Sequence, residues 1–218
     1  MKRVIALMAV IAALSIPAAA VPITGRVRFI GRDPGAAVTT IVYAEALDGG
    51  RVQPRQFKMA QKNKSFIPHV LAIPIGSTVS FPNEDDLFHN AFSLSRPGPF
   101  DLGLYRSGAS KDLSFTAPAT YRVLCNIHPQ MNAIILVLPT SYIGETDAAG
   151  NYRLDLPPGR YRISAWSERA EVSSANLTVG NSSQTAADLT LDESKFAPTQ
   201  HKNKFGQDYP KSAYDQKN

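Results

Sequence analysis

The chain has 218 residues, a formal net charge of +5, 44% hydrophobic residues and a single cysteine. This length corresponds to one large domain or two small ones. The composition excludes a collagen, a coiled coil and a fully disordered polymer, and one cysteine excludes an internal disulfide.

The first twenty residues have the pattern of an export signal. Lys2 and Arg3 form a positive start, residues 4–16 are apolar, and small residues lead up to Ala20. We expect cleavage after Ala20, export to the periplasm, and no transmembrane segment in the mature protein. A membrane anchor is the alternative, but the apolar run ends before Pro17 and is shorter than the roughly 20 residues needed to span a bilayer.

The positive charge lies at the two ends of the chain. Loss of Lys2 and Arg3 lowers the net charge from +5 to +3, and residues 195–218 contain five lysines and two aspartates. Residues 21–194 are therefore neutral overall. We interpret 195–218 as a basic flexible tail, and the remaining charges are too scattered to indicate nucleic-acid binding.

Between the signal and the tail, the sequence predicts strands joined by short turns. Residues 23–30 and 39–47 are strand-like, and the turn residues between them predict a hairpin. Further strands are predicted at 70–75, 78–82, 89–94, 112–116, 120–125 and 132–138. No amphipathic helical stripe interrupts them. The prediction is an all-β fold, with an antiparallel sandwich or barrel in this region.

A different unit begins after Pro139. Turn residues alternate with strand-like segments at 153–156, 160–166, 171–179 and 185–191. We expect these segments to belong to a second small β-sandwich.

Side chains suited to metal binding are concentrated in one short motif. Cys125, His128 and Met131 follow a predicted strand, and His89 lies at the start of an earlier strand. A thiolate, two imidazoles and a weak thioether are the ligands of blue-copper electron-transfer sites. Zinc has little use for a thioether, and structural zinc sites usually contain more thiolates. The sequence therefore favours copper.

Two other interpretations of these residues remain. Each residue alone is more typical of ordinary packing, since single cysteines and methionines often fill cores. A Cys–His nucleophile pair is the competing chemistry, and it would need a third residue to orient the base. The spacing of Cys125, His128 and Met131 suits convergence on a metal better.

Residues 57–138 resemble the cupredoxins, and within them the amicyanins. The resemblance lies in the segments 76–83 and 115–121, in His89-Asn90 and in the Cys125–Met131 loop. It implies a Greek-key sandwich with one type 1 copper ion. The implied equatorial ligands are His89, Cys125 and His128, and the implied axial ligand is Met131. Asn90 would tie the His89 strand to the loop.

Ile127 departs from the family pattern, which often has proline between the cysteine and the histidine. The backbone N–H of Ile127 is therefore available. We expect it to support the site by giving the Cys125 sulfur a second hydrogen bond, a contact that tunes the reduction potential of such centres.

The flanking segments resemble a carboxypeptidase-regulatory, transthyretin-like β-sandwich. The resemblance lies in the turn and strand patterns of residues 25–38 and 146–163. It predicts a cupredoxin domain at 51–139 inserted into a sandwich made of 21–50 and 140–194. The alternative is that the first hairpin extends the cupredoxin sheet and the later unit stands alone.

These expectations combine into a function. We expect an exported electron carrier, not an enzyme, that exchanges electrons with periplasmic redox proteins such as a donor dehydrogenase or an acceptor cytochrome. The alternatives are a copper carrier or storage protein, a copper site that binds a small molecule, and an adhesive module without metal. We interpret the acidic turn 84–86 as solvated, with a partner-docking patch as the alternative. We interpret His69 as a surface or hydrogen-bonded residue, with a secondary copper contact as the alternative.

Overall fold

A computed structural model describes residues 19–33, 35–36, 38–186, 188–198 and 201–209. The regular secondary structure of these residues consists of β-strands alone, which confirms the predicted fold class. Residues 1–18 of the predicted export signal lie outside the described residues. The described part of the chain contains no helix with the length and apolarity needed to cross a bilayer.

The strands follow one another in short segments along the chain. The first nine are β1 (Val21–Ile30), β2 (Ile41–Ala46), β3 (Gln56–Lys58), β4 (Ala60–Lys62), β5 (Ser65–Ile67), β6 (Val70–Pro74), β7 (Thr78–Pro82), β8 (His89–Ser93) and β9 (Phe100–Tyr105). They are followed by β10 (Ser110–Ser114), β11 (Ala119–Leu124), β12 (Asn132–Leu138), β13 (Tyr142–Glu145), β14 (Asn151–Leu156), β15 (Gly159–Ser167), β16 (Ala170–Val179), β17 (Gln184–Thr185) and β18 (Leu189–Asp192).

Strands β3 to β12 form what we call the central sandwich. Its two main sheets have the strand orders β10-β7-β3 and β6-β12-β11-β8-β9. Val79 and Phe81 from the first sheet share one buried cluster with Val123 and Ile135 from the second. Burial of each such side chain contributes about 1.5–3 kcal/mol, so this shared core holds the two sheets face to face.

The remaining strands form what we call the flanking sandwich. In one sheet β1 pairs with β14, β17 and β18, and in the other β2 lies between β13 and β15. Ile23 and Val27 from β1 share a buried cluster with Val42 and Ala44 from β2. Segments that precede and follow the central sandwich in the chain therefore share one core.

The predicted hairpin between β1 and β2 is wrong. The two strands lie in different sheets and face each other across the flanking core. Each needs its apolar side chains covered by the opposite sheet, and the connection between them is long enough to cross over. Arg32 in this connection donates from Nε to Glu193 Oε2 at 3.0 Å, which holds the crossover against the end of β18.

The two sandwiches pack directly against each other. A smaller buried cluster joins Val70, Ile134 and Leu136 of the central sandwich to Ile41 and Trp166 of the flanking one. This cluster covers the outer face of the five-stranded sheet. The residues of the predicted metal site lie where β8 begins and where β11 ends.

Candidate metal centre

His89 is delivered by the first position of β8. It is fully buried, and its Nε2 atom lies 2.8 Å from Asp85 Oδ2. Because Nε2 is engaged by the carboxylate, the other ring nitrogen, Nδ1, is the one directed at the site.

The β4–β5 hairpin holds Asp85 in place. Its turn residues Asn63 and Lys64 have positive φ angles of 53° and 52°, the conformation of a tight hairpin turn. Their backbone N–H groups donate to the Asp85 carboxylate at 2.6 and 2.9 Å. Desolvation by burial pushes the pKa of Asp85 upward, but these bonds and the bond to His89 outweigh it and hold that pKa below its usual value. Asp85 is therefore a carboxylate fixed between the hairpin and His89.

Cys125, His128 and Met131 lie on the tight loop between β11 and β12. The Cys125 N–H donates to the Met131 carbonyl at 3.1 Å, and the Met131 N–H donates to the His128 carbonyl at 3.0 Å. Leu124 and Asn132 pair directly where the two strands meet the loop. The loop is thus closed at its base, and all three side chains are carried on a short, hydrogen-bonded turn.

The structure brings His89, Cys125 and His128 together. One ligand atom from each lies within 4.8 Å of the others. The Nδ1 atoms of the two histidines are 2.9 Å apart, and Cys125 Sγ lies 3.7 Å from His128 Nδ1. His89 and Cys125 are fully buried, while His128 is only half-buried. Two imidazole nitrogens and one cysteine sulfur therefore lie close together.

These donors fit copper. Imidazole and thiolate are its preferred ligands, and a His₂Cys set with a weak axial thioether is typical of electron-transfer copper sites. Met131 is fully buried on the same loop and belongs to the same buried cluster as Cys125. Its role as axial ligand stays a prediction.

Asn90 directly follows His89, and Ile127 directly precedes His128. The Asn90 side-chain oxygen accepts a 2.6 Å hydrogen bond from the backbone N–H of Asn126, so β8 and the loop are directly joined. Ile127 is exposed at the surface. The contact that the structure shows for the Cys125 sulfur is with His128, and a hydrogen bond from the Ile127 N–H stays a prediction.

Sequence reasoning missed two groups of residues at this site. The sequence favours a solvated acidic turn, but the Asp85 carboxylate accepts three hydrogen bonds. Its position four residues before His89 is the signal that could have indicated this contact. The second group lies in the C-terminal segment, where the Tyr209 hydroxyl donates to the Cys125 carbonyl at 2.8 Å. No pattern in the sequence predicts this contact, because it joins residues that are far apart in the chain.

An all-β sandwich that gathers a cysteine and two histidines at one end has the architecture of the cupredoxins. Amicyanin-alpha of Methylorubrum extorquens is 32% identical over 107 residues, which cover 46% of this chain and 88% of that protein. The chain belongs to the amicyanin family of cupredoxins. The resemblance to the amicyanins noted in the sequence is thereby confirmed.

Solved structures also resemble part of the chain. The copper-containing nitrite reductase of Thermus scotoductus SA-01 aligns with 32% identity and a TM-score of 0.37, over 51% of this chain and 28% of the reductase. The chain thus spans less than a third of that enzyme's length. A purple cupredoxin from Nitrosopumilus maritimus aligns with 22% identity and a TM-score of 0.35, over 37% of this chain and 98% of that protein. No protein-family model matches the sequence.

Proposed function

We propose that this protein is an exported type 1 copper protein that carries single electrons between redox partners and is not itself an enzyme. The observation that carries the proposal is the convergence of His89, Cys125 and His128 within 4.8 Å of one another. Membership of the amicyanin family supports it.

Each residue of the centre has a distinct task. His89, Cys125 and His128 would hold the metal, and the thioether of Met131 would bind it weakly and tune its potential more than hold it. A copper ion held by these residues would supply a one-electron Cu(I)/Cu(II) couple. The closed loop and the Asp85–His89 bond keep the ligands in one arrangement, so little has to move when the charge changes.

Electrons enter and leave at the half-buried His128. Its neighbour Ile127 is 44% exposed, and Phe88, the residue before His89, is 55% exposed. Exposed apolar side chains next to the ligands suit brief docking of a redox protein, because they exclude water without a large interface. The partners are a donor dehydrogenase, an acceptor cytochrome, or both, in the periplasm, where the predicted signal at residues 1–20 directs the chain.

The proposed layout has two folding units. The central sandwich, residues 51–139, carries the metal, and 21–50 combine with 140–194 as the sandwich into which it is inserted. The shared flanking core and the pairing of β1 with β14 support this layout. The flanking sandwich would then support the five-stranded sheet that carries His89 and Cys125.

Voltammetry of the copper-loaded protein tests the proposal. We expect one reversible one-electron wave for each chain, with the wave lost in Cys125→Ser. A copper carrier or storage protein would bind Cu(I) tightly without a reversible couple. That result in the wild-type protein would contradict electron transfer and favour the carrier.

A further inference from the structure

The C-terminal segment 201–209 lies against the loop that carries Cys125. The Tyr209 hydroxyl donates to the Cys125 carbonyl at 2.8 Å, and the backbone N–H of Lys204 donates to Asn126 Oδ1 at 3.0 Å. These contacts join residues about 80 positions apart in the chain. They reach the backbone of the proposed thiolate ligand and its immediate neighbour.

The segment has a folded turn of its own. Asn203 is buried, and its side-chain oxygen accepts hydrogen bonds from the backbone N–H groups of Phe205 and Gln207 at 2.9 and 3.0 Å. The Asn203 N–H donates to the Gln207 carbonyl at 2.9 Å. Lys204 is therefore presented to the loop by a shaped turn and not by an extended chain.

Four residues form a closed ring of polar contacts beside the site. Asn126 donates its N–H to Asn90 Oδ1 at 2.6 Å, and Asn90 Nδ2 donates to Asp101 Oδ1 at 3.3 Å. The Lys204 ammonium donates to Asp101 Oδ2 at 2.6 Å, and the Lys204 N–H returns to Asn126. The ring contains the residues that directly follow two of the proposed ligands. Linked hydrogen bonds of this kind rigidify what they surround.

We propose that segment 201–209, here called the C-terminal strap, positions the Cys125 loop for electron transfer, with Tyr209 and Lys204 as its positioning residues. The inference rests on the proposed function. It adds that a segment of the same chain controls the geometry of the site. The position of the thiolate follows the backbone of Cys125. Holding that backbone in both oxidation states reduces the rearrangement that accompanies each electron.

The strap can be tested without copper. In the metal-free full-length protein, Tyr209→Phe removes one hydrogen bond to the loop, and the amide of Asn126 should then exchange with solvent about three- to tenfold faster. Tyr121→Phe is the matched control. It also removes a hydroxyl bonded to a backbone carbonyl, that of Ala117 at 3.2 Å in the same sandwich. It should leave Asn126 exchange unchanged.

A second variant opens the ring at another point. Lys204→Met removes the ammonium bonded to Asp101, and we expect faster exchange at Asn126 again. Lys202→Met is its control, because Lys202 lies in the same segment and its ammonium pairs instead with the exposed Asp208 at 3.8 Å. Unchanged exchange at Asn126 in both Tyr209→Phe and Lys204→Met would overturn the strap.

The copper-loaded protein tests the positioning role. The Tyr209 hydroxyl points its positive end at the Cys125 carbonyl, which favours the electron-rich reduced state. Tyr209→Phe should therefore lower the reduction potential and slow electron self-exchange several-fold, and Tyr121→Phe should do neither. Faster amide exchange with an unchanged potential and self-exchange rate would overturn the role in electron transfer. The copper-free arm does not depend on the metal, so failure of the proposed function is distinguishable from failure of the strap.

Discussion

The Nε2 atom of His89 lies 2.8 Å from Oδ2 of Asp85. The two oxygens of this carboxylate also accept backbone hydrogen bonds from the β4–β5 turn. A hydrogen bond to one nitrogen of a buried imidazole fixes the orientation of the ring, so the other nitrogen is already directed at a metal. Asp85 therefore links the hairpin to the proposed copper ligand.

Removing that carboxylate should weaken copper binding. For Asp85→Ala we expect a loss of copper affinity of about 10- to 100-fold, the usual cost of losing the partner of a metal-bound histidine. Competition with a chelator measures it. Asp86→Ala changes the exposed acid next in the chain and should bind copper as the wild type does. Equal affinities in the two variants would show that Asp85 does not support His89.

Met131 and His89 should respond differently to substitution. A thioether binds weakly, so Met131→Gln should retain copper and lower the reduction potential, whereas His89→Ala removes a strong ligand and should lose copper. Metal titration followed by voltammetry separates the two effects. Loss of copper from the Met131 variant together with retention in the His89 variant would reverse the proposed axial and equatorial roles.

A pH-dependent ion pair joins the two sandwiches. His69 Nε2 lies 3.1 Å from Glu168 Oε2, a hydrogen bond that raises the pKa of His69 above 6.5 and lowers that of Glu168 below 4.5. The Glu168 contribution to stability is present above pH 4.5 and is lost as pH falls through its lowered pKa. The His69 contribution is present below pH 6.5 and is lost as pH rises through its raised pKa. The pair therefore stabilises the fold most between pH 4.5 and 6.5.

Thermal melting of Glu168→Gln in the metal-free protein checks this window. The His69 side chain is 44% exposed, so we expect a decrease in Tm of only about 1–3 °C near pH 5.5. At pH 8 His69 is neutral, so the decrease in Tm should be smaller. Only the weaker attraction of Glu168 to Arg122 and Arg169 is then lost. A larger decrease at pH 8 than at pH 5.5 would contradict the assignment.

Most strands were predictable because their signals are local. The alternating pattern of Asn151–Leu156 and the apolar run of Asn132–Leu138 appear as strands within a few residues of the predicted bounds. Short strands such as Gln56–Lys58 were missed, since three residues are too few to show a period. Strand Phe100–Tyr105 was also missed, and Gly103, with a φ angle of 68°, interrupts its pattern.

The pairing of strands was less predictable than their existence. A turn-rich connection after Ile30 indicates a hairpin, but the choice between pairing and crossing over depends on partners more than 100 residues away. The site shows the same division. Cys125 and His128 are recognisable from spacing, whereas the contact of Tyr209 with the loop depends on how the whole chain folds.

Fragments of the chain test the proposed layout. A fragment of residues 140–218 lacks β1 and β2, the strands that pair with β14 and β15, and should not fold. Adding residues 21–50 through a short linker should restore cooperative melting. The fluorescence of Trp166, the only tryptophan, reports the transition. A cooperative transition in the shorter fragment would show that the two sandwiches are consecutive domains.

The complementary fragment, residues 51–139, should fold because it contains the whole buried cluster of the central sandwich. It should bind copper because it contains all four proposed ligands. It also uncovers Val70, Ile134 and Leu136, which the flanking sandwich buries. We therefore expect it to associate as its concentration rises, as sedimentation would show. A fragment that stays monomeric at high concentration would indicate that this face needs no cover.

The visible spectrum of the full-length protein with one equivalent of Cu(II) tests the central claim most directly. A copper ion bound to the Cys125 thiolate and the imidazoles of His89 and His128 should give an intense thiolate-to-copper charge-transfer band. Cys125→Ser removes the only thiolate in the chain and should abolish that band. A colourless Cu(II) complex of the wild-type protein would contradict a type 1 copper centre.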